Sequence, residues 1–172
     1  AAPAEDVITG VQRWDSGAVS ADMVAFGFFC AFLVVQGGNE ASYSQFLFAY
    51  ASITAGLDLT IQLAAMLVGS FWGVLAIGRF LMLYLVHSFP PHQLSMLCCT
   101  FGISALSLLA SAPTSGPALW ACTMMLALSL AGLIPSALSL TDRAFTLVQA
   151  RHTRTFVLVL CPSLGELAAP LL

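Results

Sequence analysis

The residues best suited to bind a solute form a short polar stretch inside a long apolar run. Gln36, Asn39 and Glu40 lie close together there, and Tyr43 follows one helical turn later. An ionisable group inside a membrane span is costly, and by default it indicates a functional site. Amide and carboxylate groups supply both hydrogen-bond donors and acceptors. The stretch therefore predicts contacts with a polyhydroxylated solute. The alternative is a kinked helix whose Glu40 only binds a neighbouring helix, for instance through Arg79.

Two further charged residues fall inside apolar segments. Arg79 has two interpretations: its side chain extends to the cytoplasmic interface, or it is the buried partner of Glu40, Glu166 or Asp142. Glu166 is either a polar contact within the helix bundle or a site for a coupling ion or proton. Both residues stay in the candidate set, as charged groups within the membrane.

Glycines accompany these charges and suggest two kinds of backbone behaviour. Gly37 and Gly38 predict that the first apolar helix unwinds near its middle, because interrupted helices form the binding sites of many transporters. Gly69 and Gly73 form a face of small residues that permits close helix contact. Trp72 lies between them and is a candidate for stacking on a sugar ring.

Several classes of function find no support in the residues. The chain has no Lys, and its five basic residues are scattered arginines, so it lacks the basic patch of a nucleic-acid-binding protein. Its five cysteines lie in apolar runs, and adjacent Cys98 and Cys99 do not have metal-ligand spacing. No nucleophile elbow, phosphate loop or zinc-protease motif occurs. We therefore expect no catalytic residue, no metal site and no enzyme activity.

The composition requires an apolar solvent. Of the 172 residues, 59% are hydrophobic and only 8% are charged, whereas soluble domains carry about 25% charged residues. The mean hydropathy is +0.95. The apolar runs are continuous and too long for the strands of a membrane barrel, so they predict helices. The predicted fold class is all-α, a polytopic membrane helix bundle in contact with lipid.

The apolar runs predict about five spans after a polar segment, residues 1–21, which reads as a loop or linker. The bundle is expected over residues 22–172, with spans at about 23–53, 59–86, 94–112, 117–140 and 156–172. With five alternating spans, Arg13, Arg143, Arg151 and Arg154 fall on one side. The positive-inside rule makes that side cytoplasmic, together with the N-terminal segment.

Four stretches of the chain resemble the C-terminal half of a major facilitator superfamily transporter. More narrowly, they are similar to the sodium-dependent glucose transporter group, the animal relatives of bacterial fucose permease. The stretches are Gly38–Tyr43 with Phe48–Ala51, Phe71–Arg79, Ile134–Ser136 and Ser163–Glu166. The second of these is the most specific. The loop Val86–His92 departs from the pattern, since it lacks the basic residues common in that superfamily.

The resemblance implies that the five spans correspond to helices seven to eleven of twelve. It implies uptake of a hexose across the plasma membrane, with Na⁺ as a candidate coupling ion and no other cofactor. Gln36, Asn39 and Glu40 are then the expected solute contacts, while Arg79 and Glu166 match motif charges without an assigned role. The chain begins at Ala1 without Met, so we expect an internal piece that needs a missing N-terminal helical half or another subunit. The alternative is a truncated, non-transporting protein that pairs with or regulates a full-length transporter.

Overall fold

The computed structural model describes residues 16–54, 59–144 and 151–169, and these residues form an all-helical bundle. The five helices are α1 (Ser16–Ile53), α2 (Ile61–Ser88), α3 (Pro91–Ser111), α4 (Gly116–Ala144) and α5 (Arg151–Ala168). The predicted fold class is confirmed. Arg13, which is used above to assign the cytoplasmic side, lies outside the described residues, as does the end of the fifth predicted span at 170–172.

Four of the helices are long and apolar enough to cross a membrane. Their apolar parts are Met23–Ile53, Ile61–Ser88, Pro91–Ser111 and Gly116–Leu140. The apolar part of α5, Phe156–Ala168, is shorter than the roughly 20 residues that a span requires. The chain is thus an integral membrane protein with four candidate spans among the described residues, and a fifth span stays a prediction. Residues 16–21, predicted as part of a loop, are already helical in α1.

The helix ends follow from local chemistry. The hydroxyl of Thr60 caps α2, accepting a hydrogen bond from the amide of Leu63 at 3.4 Å. Pro91 is the first residue of α3, where its missing amide hydrogen costs nothing because the first amides of a helix have no partner within it. The preceding Pro90 is extended, so α2 and α3 are joined by a tight turn.

Helix α4 lies at the centre of the bundle. In its most apolar window 56% of the residues are buried, against 22–28% in the other three candidate spans. It packs against α2, α3 and α1. Small residues allow two of these approaches: an added Cβ on Gly78 of α2 would lie 2.8 Å from that of Ala131, and one on Gly102 of α3 would lie 2.7 Å from the hydroxyl of Ser129. Both separations are shorter than real Cβ contacts, so a larger residue at either position would force its neighbour to move.

The prediction that α1 unwinds at its two central glycines is wrong. Residues 16–53 form one continuous helix. Gly37 and Gly38 instead let α5 approach: a Cβ on Gly37 would overlap the backbone of Pro162, and a Cβ on Gly165 would overlap the backbone of Val34. The glycines therefore serve close helix packing of the kind common in membranes.

Candidate functional site

The inward face of α1 carries the polar core of the site. Gln36 and Glu40 are four residues apart, so they lie on the same side of the helix. Both are buried, Glu40 completely and Gln36 to 4% exposure. The Gln36 amide nitrogen donates to the Glu40 carboxylate at 3.3 Å and, more weakly, to the carbonyl of Leu130 on α4 at 3.5 Å. The side chain of Gln36 thus links the carboxylate to the central helix.

Arg79 of α2 completes this core. Its Nη2 donates to the second oxygen of Glu40, which makes a charge-assisted ion pair between α1 and α2. Of the two interpretations that the sequence left open for Arg79, the structure shows the pairing with Glu40. The pair is asymmetric, because the Glu40 side chain is fully buried whereas that of Arg79 is 37% exposed.

An aromatic cluster lies one helical turn from Glu40. The Tyr43 hydroxyl forms a hydrogen bond with the hydroxyl of Thr123 on α4 at 3.1 Å. The Tyr43 ring lies 5.2 Å from that of Phe71 on α2, and Phe71 meets the edge of Trp72 at 5.5 Å. These separations are typical of favourable aromatic pairs. The cluster fixes the Tyr43 ring and leaves Trp72 partly exposed, at 39%.

Trp72 and Arg79 share one side of α2. They are seven residues apart, which is close to two full helical turns, and Ala76 lies between them on the same side. Arg79 is bonded to α1, and Trp72 is joined to α1 through Phe71 and Tyr43. The exposed parts of Trp72 and Arg79 therefore lie along the α1–α2 boundary, about 10 Å apart along the axis.

Two predicted site residues lie apart from this core. Asn39 and Glu166 are both exposed. Each follows a glycine of the α1–α5 contact, where a Cβ on Gly38 would lie 3.4 Å from the carbonyl oxygen of Gly165. Asn39 and Glu166 thus flank the α1–α5 contact, while Gln36, Glu40, Tyr43, Trp72 and Arg79 are brought together at the α1–α2–α4 contact. The role of solute contact remains a prediction for Gln36, Asn39, Glu40, Tyr43 and Trp72.

The sequence reasoning missed the contribution of α4. Thr123 is completely buried and binds Tyr43, and the carbonyl of Leu130 accepts from Gln36. A single threonine within an apolar span was a detectable signal, because a buried hydroxyl needs a partner. The carbonyl of Leu130 left no such signal, since every residue carries one.

The remaining polar and reactive groups do not assemble a metal centre. Within the described residues, no three His, Cys, Asp or Glu side chains are grouped so that they could hold a metal ion. The cysteines are free thiols, and Cys122 donates to the carbonyl of Ala105 at 2.8 Å in the contact between α3 and α4. An apolar cleft of about 290 Å³ lies elsewhere, between α1, α3 and α4, where Phe28, Phe32 and Leu133 contribute to its lining. Its lining offers little to a hydroxylated solute.

The chemistry of the site is neutral and rich in hydrogen bonds. The carboxylate of Glu40 balances the guanidinium of Arg79, so the pair carries no net charge. Arg79 has five N–H donors, and only its Nη2 donates to a described residue. The site can therefore offer donors and an aromatic face without a net charge.

Comparison with known proteins shows similarity to a curated transporter. The protein named sodium-dependent glucose transporter 1 from Danio rerio is 31% identical to the chain over 135 residues, which are 78% of the chain and 22% of the relative. The chain thus spans about a fifth of the length of the curated relative it matches. No family model matches the chain, and no solved structure matches it significantly. The similarity supports a transporter-like membrane protein.

Proposed function

We propose that this chain is part of a secondary transporter that moves a small polar solute, most simply a hexose, across a membrane. The observation that carries the proposal is the polar cluster in which buried Gln36 and Glu40 meet partly exposed Arg79, between helices long enough to span a bilayer. The relative's name, which specifies glucose, supplies the solute class.

Placing this charged cluster inside membrane helices costs free energy, so its presence indicates a function. Charged side chains in a span face the bundle interior and commonly mark a substrate or ion pathway. A buried ion pair gains little net stability, since desolvation offsets the attraction between the charges. The cluster is therefore better explained by selection for binding than by selection for stability. Hydroxyl groups of a sugar would meet the free donors of Arg79, and its apolar ring face would stack on Trp72.

The rest of the transporter would be formed by polypeptide outside these 172 residues. The relative is several times longer than the matched segment, and the proposal assigns to this chain five helices of the C-terminal half of a major facilitator superfamily protein. The other half would complete the pathway. We assign the N-terminal segment to the cytoplasm from the distribution of arginines, and the protein to the plasma membrane.

Sodium coupling is the finer part of the proposal. Glu166 is an exposed carboxylate beside the α1–α5 contact, and carboxylates are suitable ligands for hard cations. Glu40 is less suited to hold Na⁺, because Arg79 occupies one of its oxygens. We therefore propose that Glu166, rather than Glu40, belongs to a coupling-ion site.

The size of the native protein is the first test. An immunoblot with an antibody raised against residues 1–21 should give a band well above 18.1 kDa, the mass of this chain. A native band near 18.1 kDa would contradict the longer transporter and favour a short form that pairs with or regulates another protein.

Uptake measurements on the full-length protein test the function itself. Cells expressing it should accumulate labelled hexose, and the solute should be recovered chemically unchanged, as expected of a transporter rather than an enzyme. Glu40→Gln should reduce uptake at equal surface expression. Ser107→Ala is the matched control, because the Ser107 hydroxyl only donates to the carbonyl of Ile103 in its own helix. Uptake that is unchanged in Glu40→Gln would exclude Glu40 from the site.

The same assay tests the coupling ion. Replacing external sodium with choline should lower hexose uptake, and Glu166→Gln should remove the difference between the two media. Equal uptake in both media by the unmodified protein would exclude sodium coupling while leaving hexose transport intact.

A further inference from the structure

The two partners of the ion pair differ in their exposure. The Glu40 carboxylate is fully buried and is held by Gln36 and Arg79. The Arg79 side chain is 37% exposed, although its Nε is buried and has no hydrogen-bond partner among the described residues. A solute at the α1–α2 boundary would contact the Arg79 side chain directly. It would not touch the buried Glu40 carboxylate, which would affect the solute through its pairing with Arg79.

We propose that Glu40 determines the charge class of the solute by neutralising Arg79, so that the site accepts neutral polyols and rejects carboxylate-bearing sugars. This inference rests on the proposed function. Arg79 has five N–H donors in a geometry that matches carboxylates. An anionic solute would therefore bind strongly to an unpaired Arg79. With Glu40 in place, the same solute must compete with a buried carboxylate already bonded to the guanidinium.

The surroundings of Arg79 contain little other charge. Among the described side chains of the apolar spans of α1–α4 and of α5, the charged groups are Glu40, Arg79 and Glu166. Along the exposed side of α2, Arg79 is preceded by Ala76 and Trp72, which are uncharged. Among the described residues, repulsion of an anion can therefore come from Glu40 and, at greater distance, from Glu166. Specificity in this form depends on disfavouring the wrong ligand as much as on binding the right one.

Removing the carboxylate should thus change what the site accepts. Glu40→Gln keeps the shape of the side chain and its contact with Gln36, but it leaves the guanidinium unpaired in a medium of low dielectric constant. An unpaired guanidinium matches the geometry of a carboxylate, so the ratio of hexuronate to hexose uptake should rise by at least about tenfold. The double variant Glu40→Gln/Arg79→Gln carries no charge at the site and should return to a preference for the neutral sugar.

The experiment compares labelled hexose and labelled hexuronate in cells expressing the full-length protein and these variants. Uptake is normalised to surface expression, and Ser107→Ala is the control for an uninvolved hydroxyl. A purely structural role of Glu40 would lower uptake of both sugars equally and would leave their ratio unchanged, which would overturn the inference. If Glu40→Gln does not reach the membrane, Glu40→Asp retains the charge but draws it away from Arg79. A ratio in Glu40→Asp equal to that of the unmodified protein would then also overturn it.

Binding measurements separate this inference from the proposed function. Thermal shifts of the purified full-length protein in detergent can be recorded with hexose and with hexuronate. If the unmodified protein neither takes up nor binds hexose, the proposed function fails. A hexuronate shift that appears in Glu40→Gln, and disappears in the double variant, would still support charge control by Glu40. Absence of that shift would reject it.

Discussion

Residues 36–40 of α1 have two different faces. Gln36 and Glu40 form a polar face, and Gly37 and Gly38 form a glycine face. Gln36 and Glu40 direct polar side chains towards α2 and α4, where a charge is held by hydrogen bonds. Gly37 and Gly38 present no side chain and allow the backbone of α5 to come into contact. The contacts of the polar face are hydrogen bonds made by its side chains. The contact of the glycine face is possible because its residues have no side chain. A single helical turn can therefore hold a charged cluster on one side and a close helix contact on the other without being unwound.

The largest effect is expected from breaking the polar face. Arg79→Gln would leave Glu40 fully buried without its cation, and removing one partner of a buried pair typically costs about 3–5 kcal/mol. Glu40→Gln should cost less, because the Arg79 side chain left behind is 37% exposed. Thermal unfolding of the purified protein in detergent should rank Arg79→Gln below Glu40→Gln, with the double variant recovering part of the loss. A reversed order would mean that the guanidinium is the buried partner.

The second-largest loss of stability is expected from a substitution on the glycine face. Gly37→Ala would place a Cβ within the backbone of Pro162, and overpacking of this kind usually costs about 1–3 kcal/mol. Gly73→Ala is the matched control, since a Cβ there meets nothing within 4 Å. The unfolding temperature should fall in Gly37→Ala and not in Gly73→Ala. Equal behaviour of the two variants would show that α1 and α5 are not in backbone contact.

The smallest effect concerns the edge of the polar face. Tyr43→Phe removes the hydrogen bond to Thr123 but keeps the ring against Phe71. Hydrogen bonds between membrane helices contribute about 0.6 kcal/mol on average. A double-mutant cycle with Thr123→Val should give a coupling energy of that size. A coupling energy near zero would mean that the two hydroxyls do not interact.

The sequence was informative about the helices and less so about their contacts. Lengths of apolar sequence predicted the four long spans, because the bilayer sets how many apolar residues are needed. The charge of Glu40 and that of Arg79 were recognised, and their pairing was one of the options. What could not be predicted is the rotation of each helix about its axis. That rotation placed Gly37 against Pro162 and brought Thr123 to Tyr43, and it depends on the packing of all five helices together.

The neutrality of the Glu40–Arg79 pair has an electrical consequence. Moving one elementary charge through a membrane potential of 100 mV involves about 2.3 kcal/mol of work. If α1 and α2 shift together during transport, the pair moves equal and opposite charges, and the field does almost no net work on it. A current recorded during uptake of a neutral sugar would then measure the co-transported ion rather than displacement of the pair. In the absence of a coupling ion, a voltage-dependent current is expected only in a variant that lacks one charge of the Glu40–Arg79 pair.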